Sequence, residues 1–429
     1  MLKLTPSREC FMSNPSIRTL FITKYPPYPP VGGSPLRNWQ NITRMMKLGP
    51  VAIFSIAFDR PASNAELPPD ITIYNYYNVR DLRKQRSVWK KIKHRMWQQR
   101  PCGHPWADWF DSDIVAQELS QAIAKFQPHI VIFEEPWFHH YFNIVKRQGC
   151  LTIYDAHNIE TVLQRDLTSS LPQDISKVNP ILLAKKIEII ERDLISKVDQ
   201  IWVCSKEDKI LVDKLGSKIP PIHIVPNGLD VASYDSVRLR QCPPPNQLDT
   251  VLQSIIFTAR FGYPPNSEAA QILIDQIYPH LRETFPNTRL MLVGIEPTQY
   301  MRQAAKQDSG IVVTGPVSDV RPYLAAASVV VVPLWQGGGT RLKILEAFAA
   351  GRPVVSTPKG VEGIKVKDGE QLLIRDSIEE FVAGVSQLLS EPAFGQKLAD
   401  SAYNLVKSNY AWDKLSPTIE QAVLELMEK

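Results

Sequence analysis

One stretch, residues 329–355, constrains the fold of this chain more than any other. Residues 329–332 are four valines with the length and β-branching of a buried strand, and Pro333 stops this strand shortly before three glycines at 337–339. A helix is predicted from about Thr340. The order of strand, glycine loop and helix leaves backbone N–H groups aligned at one point, where the helix dipole favours an anion. The stretch therefore predicts a phosphate site.

Two basic residues stand at the start of the predicted helix. Arg341 and Lys343 fall in the first turn, where cations oppose the helix dipole and lower stability unless an anionic partner is near. Glu346 follows at i,i+3 from Lys343. The alternative is a surface Lys–Glu pair beside a flexible loop, but that interpretation leaves the triple glycine and the cations unexplained. We interpret Arg341 and Lys343 as phosphate ligands.

Residues 337–357, GGGTRLKILEAFAAGRPVVST, resemble the donor-binding segment of the retaining, nucleotide-sugar-dependent glycosyltransferases of family four. Those enzymes have the two-domain GT-B fold. Their pattern has two glutamates eight positions apart, of which the second binds the ribose hydroxyls of the donor and the first touches the donor sugar. The second corresponds to Glu346. The first falls on Gly338, so this chain departs from the pattern, as does a subgroup with Gly-Thr-Arg-x-Lys at this place.

The resemblance implies further donor contacts. A glycine-rich loop follows the first predicted strand (17–23), as in the family, where this loop lies over the donor phosphates and the acceptor; its alternative is an ordinary strand-to-helix turn. Arg260 occupies the position of an arginine that binds the diphosphate, but the family's companion lysine is absent here. The loop 315–317 matches one whose backbone reads the base. The donor-site candidates are Gly32, Gly33, Arg260, Val317, Gly337, Gly338, Gly339, Thr340, Arg341, Lys343 and Glu346.

Polar residues end a predicted strand at 151–160, LTIYDAHNIE. Ligands bind at the carboxyl edge of open α/β sheets. His157 matches a histidine-bearing loop that the family places in the interdomain cleft near the transferred sugar, although a single histidine is more often a structural hydrogen-bonding residue. The resemblance makes His157 and Arg260 the catalytic candidates.

Strands alternate with helices in both halves of the chain. This pattern predicts an α/β fold of two doubly wound, Rossmann-like domains that face a cleft, which is the GT-B fold. A Rossmann dehydrogenase is disfavoured because no Gly-x-Gly-x-x-Gly follows a strand. The predicted division is a disordered tail (1–15), an acceptor-side domain (16–230), a proline-rich linker (231–250), a nucleotide-sugar domain (251–408) and a helix that crosses back to the first domain (409–429).

Composition restricts the cellular setting. No apolar segment approaches the roughly 20 residues of a membrane span, and the N-terminal sequence lacks the apolar region of a signal peptide. The five cysteines are an odd number and include no Cys-x-x-Cys pair, so neither a disulfide framework nor a zinc knuckle is indicated. We expect a cytoplasmic protein.

Basic residues are concentrated in residues 80–100, where nine lysines and arginines are opposed by one acidic residue, Asp81. Tryptophans and aliphatic residues are interleaved at helical spacing. An amphipathic basic helix of this kind can bind an anionic membrane surface, at the inner face of the membrane, or an acidic or lipid-phosphate acceptor. The other interpretation is a solvated insertion whose aromatic residues pack into the domain. Nucleic acid is disfavoured.

Asp111 and Asp113 flank Ser112 in a pattern that resembles the Asp-x-Asp metal motif of a different glycosyltransferase fold. The triplet precedes an amphipathic segment, IVAQELSQAIAKF, so a helix N-cap with an acidic first turn is the better account. We therefore predict no metal ligands and no cofactor beyond the donor substrate.

These observations predict a retaining glycosyltransferase that moves a sugar from a nucleoside diphosphate sugar to a hydroxyl of a glycan or lipid-linked glycan. One alternative is a GT-B-fold epimerase, which would convert the donor without an acceptor. Another is a non-catalytic nucleotide-sugar-binding protein, which Gly338 in place of glutamate would suit.

Overall fold

The computed structural model describes residues 16–28, 30, 33–58, 71–86, 88–101, 103–169, 180–216, 218–245, 253–337 and 341–428. The predicted N-terminal tail and four predicted donor-site residues lie outside them: Gly32, Gly338, Gly339 and Thr340.

Within the described residues, the strands form two parallel sheets. The first sheet contains β1 (Thr19–Thr23), β2 (Val51–Ala57), β3 (Ile71–Asn78), β4 (Ile130–Glu134), β5 (Leu151–Ala156), β6 (Gln200–Val203) and β7 (Ile222–Ile224). The second contains β8 (Ser254–Thr258), β9 (Arg289–Val293), β10 (Ile311–Val313), β11 (Val329–Val332), β12 (Val354–Ser356) and β13 (Leu373–Ile374). Their orders are β3-β2-β1-β4-β5-β6-β7 and β10-β9-β8-β11-β12-β13.

Helices connect the strands. In the first half they are α1 (Gly33–Leu48), α2 (Val79–Lys84), α3 (Val88–Gln98), α4 (Pro105–Phe110), α5 (Asp113–Phe126), α6 (Phe142–Arg147), α7 (Glu160–Ser169), α8 (Pro180–Ile195), α9 (Lys206–Asp213) and α10 (Asp235–Arg238). In the second half they are α11 (Pro264–Ile272), α12 (Tyr278–Thr284), α13 (Gln299–Gln307), α14 (Arg321–Ala326), α15 (Leu342–Ala349), α16 (Ile378–Ser390), α17 (Pro392–Asn409) and α18 (Trp412–Met427). Short 3-10 segments cover Pro136–Tyr141, Val231–Tyr234 and Lys359–Val361, and a π-helical turn (Leu273–Ile277) joins α11 to α12.

The predicted fold class is confirmed. Every residue of β1, β2, β4, β8 and β11 is buried, as expected of parallel strands covered by helices on both faces. The polar carboxyl ends of β4 and β5 are adjacent because these two strands pair in register, with Glu134 opposite Asp155. That edge of the first sheet holds one half of the candidate site.

The last helix packs on the first sheet. Ile419, Val423 and Leu426 of α18 lie in a core cluster with side chains of β1 and α1, and Gln200 donates a hydrogen bond to the carbonyl of Ala422 (2.8 Å). The segment that leads into α18 runs beside the segment that leaves the first sheet. The Leu229 N–H donates to Tyr410 O (3.0 Å), and the Trp412 N–H donates to Leu229 O (3.1 Å). Because a Cβ at Gly228 would lie 2.4 Å from Tyr410 O, this close approach requires glycine.

The first part of the predicted linker, which begins at residue 231, is folded. Val231, Tyr234 and Val237 are buried in the core cluster of the second domain. The 3-10 segment that carries Tyr234 packs against α15. The proline-rich composition of residues 243–245 suggested an extended linker, but the apolar residues ahead of it find a hydrophobic surface.

The basic stretch 80–100 forms two helices, α2 and α3, and not the one helix predicted. Asn78 caps α2 by accepting a hydrogen bond from the Arg80 N–H (3.0 Å), which fixes the start of α2 directly after β3. Ser112 caps α5, where its hydroxyl accepts from the Val115 N–H (3.5 Å). This cap is the role that the sequence favoured for the Asp111–Asp113 triplet. No helix among the described residues is long and apolar enough to cross a bilayer.

Candidate active site

The start of α15 carries two cations, the buried Arg341 and the partly buried Lys343, which we name the α15 cation pair. Gly337 precedes them with φ +93°, a left-handed conformation that favours glycine, and a Cβ there would lie 3.0 Å from the Tyr263 hydroxyl. Arg341 is the residue before the first helical residue, and its Nη2 donates to the Gly337 carbonyl (2.7 Å). Lys343 Nζ donates to Asn266 Oδ1 (3.1 Å).

Both members of the pair are held in conditions that disfavour positive charge. Burial, with the nearby charge of Arg341, lowers the pKa of Lys343 to about 7. Burial also lowers the pKa of Arg341. The negative charge that the protein places around these two cations is therefore insufficient to offset their desolvation. An anion bound at this helix end would supply it.

Glu346 lies one turn further along α15, where Tyr234 reaches it. The Tyr234 hydroxyl donates to Glu346 Oε1 at 2.8 Å, and burial raises the pKa of this carboxyl. Sequence reasoning missed Tyr234, because the residue falls in the segment that composition assigned to a linker.

Arg260 follows β8 and forms a two-point ion pair with Glu296, with Nε–Oε2 and Nη2–Oε1 distances of 2.9 and 2.8 Å. Its guanidinium also lies 5.4 Å from the ring centre of Tyr25, a residue of the first domain. A diphosphate at Arg260 would compete with the Glu296 carboxylate, which the sequence did not point to. Glu296 adopts φ +55°, an uncommon conformation for a residue other than glycine.

Two remaining donor candidates differ in their surroundings. Gly33 is the exposed first residue of α1, and no atom lies within 4 Å of a Cβ built there, so the space beside it is open. Val317 is half-buried and packs against the core of the second domain. Its loop begins at Gly315, which has φ +71°.

His157 lies at the carboxyl edge of the first sheet, between carboxylates from two strands. Its Nδ1 is 3.4 Å from Glu134 Oε1 and its Nε2 is 3.3 Å from Asp155 Oδ2. Burial alone would lower the pKa of His157, but Glu134 and Asp155 raise it above the ordinary histidine value. Burial raises the pKa of Glu134 to about 7 against the opposing effect of His157.

Each of these carboxylates has a further partner, so the edge forms a buried network that we name the β4–β5 charge cluster: Lys24, Arg37, Glu134, Glu135, Asp155 and His157. Arg37 Nη2 lies 2.5 Å from Asp155 Oδ1. Burial would raise the pKa of Asp155, but Arg37 and His157 lower it to about 2. Lys24 donates to Glu134 Oε2 through its backbone N–H (2.6 Å).

Glu135 is the strained member of the cluster. It has φ +63° and ψ 159°, a region populated almost only by glycine. Its carboxylate pairs with Lys24 Nζ at 2.7 Å. The sequence carried a signal for this site that we did not use, since two glutamates directly follow the apolar strand residues 130–133 at the ligand-binding edge of a sheet.

Glu191 of α8 fixes the loop that carries His157. Its Oε1 accepts from the Tyr154 hydroxyl (2.8 Å) and the Glu160 N–H (3.0 Å), and its Oε2 accepts from the Thr161 N–H (2.8 Å). A fully buried carboxylate thus satisfies the N–H groups at the start of α7. The loop between β5 and α7 is held at both ends.

Among the described residues, one group of side chains has the spacing for a metal ion. Glu134, Glu135 and His157 each offer a ligand atom, and these atoms lie within 4.8 Å of one another. Lys24 already supplies a positive charge beside the two carboxylates, through its ion pair with Glu135. His157 binds a metal only as neutral imidazole. A metal ion here would therefore have to displace Lys24 and bind a neutral His157.

The second half of the chain matches a protein-family model: residues 253–391 match the family described as Glycosyl transferases group 1. The glycogen synthase of Mycobacterium tuberculosis (strain CDC 1551 / Oshkosh) is 25% identical over 254 residues, which are 56% of this chain and 58% of that protein. The chain spans less than two thirds of the length of the curated relatives that it matches.

Solved structures share the fold over nearly the whole chain. Sucrose-phosphate synthase from Thermosynechococcus elongatus matches with a TM-score of 0.72 at 15% identity, covering 96% of this chain and 99% of that one. Alr3699/HepE from Anabaena, in complex with UDP-glucose, matches with a TM-score of 0.69 at 13% identity, covering 95% and 100%. At these identities the likeness shows the fold alone, which is GT-B.

Proposed function

From the match of residues 253–391 to the model of the family described as Glycosyl transferases group 1, we infer that the whole chain is a retaining glycosyltransferase. It moves a sugar from a nucleoside diphosphate sugar to a hydroxyl of a glycan or lipid-linked glycan. A structural neighbour bound to UDP-glucose supports a nucleotide-sugar donor.

The observation that carries the proposal is the α15 cation pair. Two cations at a helix N-terminus, both with a pKa lowered by burial, form a site that favours a bound anion. A nucleoside diphosphate supplies that anion at the pair, while the Glu346 carboxylate one helical turn away accepts hydrogen bonds from the ribose hydroxyls.

Catalysis in this site is mainly electrostatic. The bond between the sugar C1 and the diphosphate oxygen breaks, and its electron pair stays on the diphosphate. The acceptor oxygen bonds to C1 on the same face, and its proton passes to the departing diphosphate. The diphosphate gains negative charge as it departs, and cations placed to meet that charge lower the barrier. Arg341 and Lys343 hold that position, and Arg260 joins them once the diphosphate replaces Glu296.

A thermal-shift screen of nucleoside diphosphates and their sugars tests the proposal. A ligand at 100 times its dissociation constant stabilises the folded protein by about 2.7 kcal/mol. We expect UDP or GDP compounds to raise the melting temperature of wild type and not of Lys343→Glu. Incubation of the preferred donor without acceptor then separates the enzymes, since an epimerase converts it and a transferase leaves it largely intact.

If no nucleoside diphosphate stabilises the folded wild type, the proposal is wrong. If one binds and no acceptor panel yields a glycosylated product, the protein is a binding protein of the kind that Gly338 suggested. Comparison of the NMR spectrum of the enzymatic product with the spectra of the two synthetic anomers reports the anomeric configuration. Inversion relative to the donor would contradict retention.

We also propose that helix α3 binds the inner face of an anionic membrane in the cytoplasm. Its side chains Trp89 and Met96 are 81% and 67% exposed, and Lys91 and Lys93 are exposed on the same helix. Aromatic and aliphatic groups enter the headgroup region while the lysines meet lipid phosphates. This surface would bring a lipid-linked acceptor to the enzyme.

Sedimentation with vesicles tests the membrane surface. We expect wild type to sediment with vesicles rich in anionic lipid, less so as salt rises, and Lys91→Glu/Lys93→Glu to remain in the supernatant with its donor affinity unchanged. The matched control is Lys206→Glu/Lys214→Glu, which changes two exposed lysines elsewhere on the same domain. Wild type that ignores anionic vesicles at low salt would support the solvated interpretation of residues 80–100.

A further inference from the structure

His157 presents both ring nitrogens to carboxylates. Nδ1 faces Glu134 on β4 at 3.4 Å, and Nε2 faces Asp155 on β5 at 3.3 Å. The three residues are 6%, 2% and 1% exposed, so bulk water does not separate these charges. Neither ring nitrogen has another hydrogen-bond partner within the described part of the chain.

A neutral imidazole cannot satisfy two ionised carboxylates. It carries one N–H donor and one lone pair, whereas the imidazolium carries two donors. In the neutral ring, one buried carboxylate would face a lone pair, which is a repulsive contact in a low dielectric. With both carboxylates ionised, this placement selects the doubly protonated ring. If Glu134 held the proton instead, its O–H would donate to a neutral ring, but the raised pKa of His157 favours the imidazolium.

The partners of the two carboxylates fix their orientation. Asp155 Oδ1 accepts a hydrogen bond from the Arg37 guanidinium, and Oδ2 accepts one from the Asn41 amide (2.8 Å). Oδ2 also faces His157. Glu134 Oε2 accepts a hydrogen bond from the Lys24 backbone N–H, and its Oε1 faces His157. Arg37 is the cation that opposes protonation of His157, and the carboxylates outweigh it, since the pKa of His157 is raised.

We propose that Glu134 and Asp155 hold His157 as an imidazolium, and that His157 acts in the cleft through its charge and not as the acceptor of a proton. Glu134 is then a positioning residue. The proposal deepens the proposed function, because a fixed positive charge at this edge would favour the departing diphosphate, and it excludes His157 as the base that deprotonates the acceptor. The protonation state itself does not depend on the proposed function.

The cation-binding alternative makes the opposite demand. For Glu134, Glu135 and His157 to bind a divalent ion, the His157 nitrogen would have to lose its proton and Glu135 would have to leave Lys24. An imidazolium has no lone pair to donate. One measurement of the ring protonation state therefore distinguishes the two.

Histidine-selective ¹⁵N NMR of the ligand-free, full-length protein tests the inference, with the His157 signals assigned from His157→Gln. We expect two protonated nitrogens at about pH 7 and a titration midpoint above the ordinary value near 6.5. Glu134→Gln should lower that midpoint by about 1 to 3 pH units, the usual effect of an adjacent opposite charge. Glu188→Gln, in a surface ion pair with Arg165, should leave it unchanged.

Two results would overturn the inference. One is a His157 ring with a single N–H at about pH 6.5, or a midpoint that Glu134→Gln does not move. The other is selective broadening of the His157 signals by micromolar manganese, which would establish a metal site. Neither result depends on a donor or acceptor, so absence of nucleotide binding would refute the proposed function and leave this inference standing.

Discussion

Buried cations in the two domains depart from their ordinary pKa values in opposite directions. In the α15 cation pair, burial lowers the pKa of both Arg341 and Lys343. In the β4–β5 charge cluster, burial acts on Arg37 and His157 in the same sense, but neighbouring carboxylates outweigh it and the pKa of each is raised.

The contrast separates two uses of buried charge. A cluster whose charges balance holds side chains and backbone in one arrangement, and removal of either sign leaves the other unpaired. A pair whose charges do not balance is costly until an anion arrives, so it favours binding. The buried charges of the first domain thus hold side chains in place, whereas those of the second domain favour the binding of an anion.

The largest effect is expected from unbalancing the cluster. Arg37→Met leaves Asp155 buried without its cation, and the Val225 carbonyl and Asn227 side chain also lose a donor. Breaking such a pair from one side costs about 3–5 kcal/mol. Urea unfolding followed by circular dichroism measures the loss.

The control for that experiment is a pair on the surface. Arg165→Met removes one partner of the exposed Glu188 ion pair, and we expect a loss of at most about 1 kcal/mol. If the two variants lost equal amounts of unfolding free energy, the β4–β5 charge cluster would not stabilise the fold more than a surface ion pair does.

A smaller effect is expected at the donor site. Glu346→Ala removes the carboxylate proposed for the ribose, and charged hydrogen bonds contribute about 1.5–3 kcal/mol each, so UDP or GDP should bind roughly tenfold to several hundredfold more weakly. Glu346→Gln should retain part of the affinity, because its amide oxygen still accepts. Isothermal titration of the free nucleoside diphosphate measures both.

Tyr234→Phe is the matched control for Glu346. It removes the hydroxyl that donates to Oε1 but keeps the carboxylate, so affinity should fall less than in Glu346→Ala. If folded Glu346→Ala binds as tightly as wild type, Glu346 is a structural residue and the family's ribose contact does not apply to this chain.

Protonation of Lys343 should accompany binding. With a pKa of about 7, Lys343 is mostly neutral at pH 8 in the free protein, and a diphosphate beside it raises that pKa. Binding at pH 8 should therefore take up close to one proton. Titrations in two buffers of different ionisation enthalpy measure the uptake, which should vanish in Lys343→Met; the same uptake in both proteins would assign the proton to another group.

The same pKa has a consequence for stability. Folded Lys343 releases its proton near pH 7 and unfolded lysine near 10.4. Between these values the unfolded chain binds more protons, so the contribution of this site to stability rises with pH and is lost as pH falls through about 7. The unfolding free energy of Lys343→Met should lack this rise.

The smallest effect is expected from chelation. If side chains neutralise the diphosphate, sugar transfer should be unchanged in EDTA. Loss of turnover on chelation, with recovery in manganese or magnesium, would contradict this expectation. It would also indicate that part of the β4–β5 charge cluster, Glu134, Glu135 and His157, binds a metal ion.

Local patterns predicted the parts of the fold that depend on neighbours in sequence. The bounds of β11 match those predicted from its apolar run, and the cap at Ser112 followed from its own triplet. The glycine loop and the cations of α15 are likewise contiguous. These features are set by backbone geometry within a few residues.

Contacts between distant segments were not predictable in this way. Lys24 and Glu134 are separated by 110 positions, and Tyr234 and Glu346 by 112. Nothing in either segment specifies the partner, because strand order and the placement of the folded linker decide which ends meet. The site was therefore predicted as individual residues, while the network that fixes their charges was not.

The position of α18 affects synthesis as well as structure. Residues of this helix, among them Ile419 and Val423, complete a core face of the first domain, yet they are translated about 190 residues after that domain's last strand. At about 5–20 residues per second, the ribosome needs roughly 10 to 40 seconds to supply them. During that interval the apolar face of β1 and α1 that α18 covers in the folded protein lacks its partner, so we expect the nascent first domain to expose it until the final helix emerges.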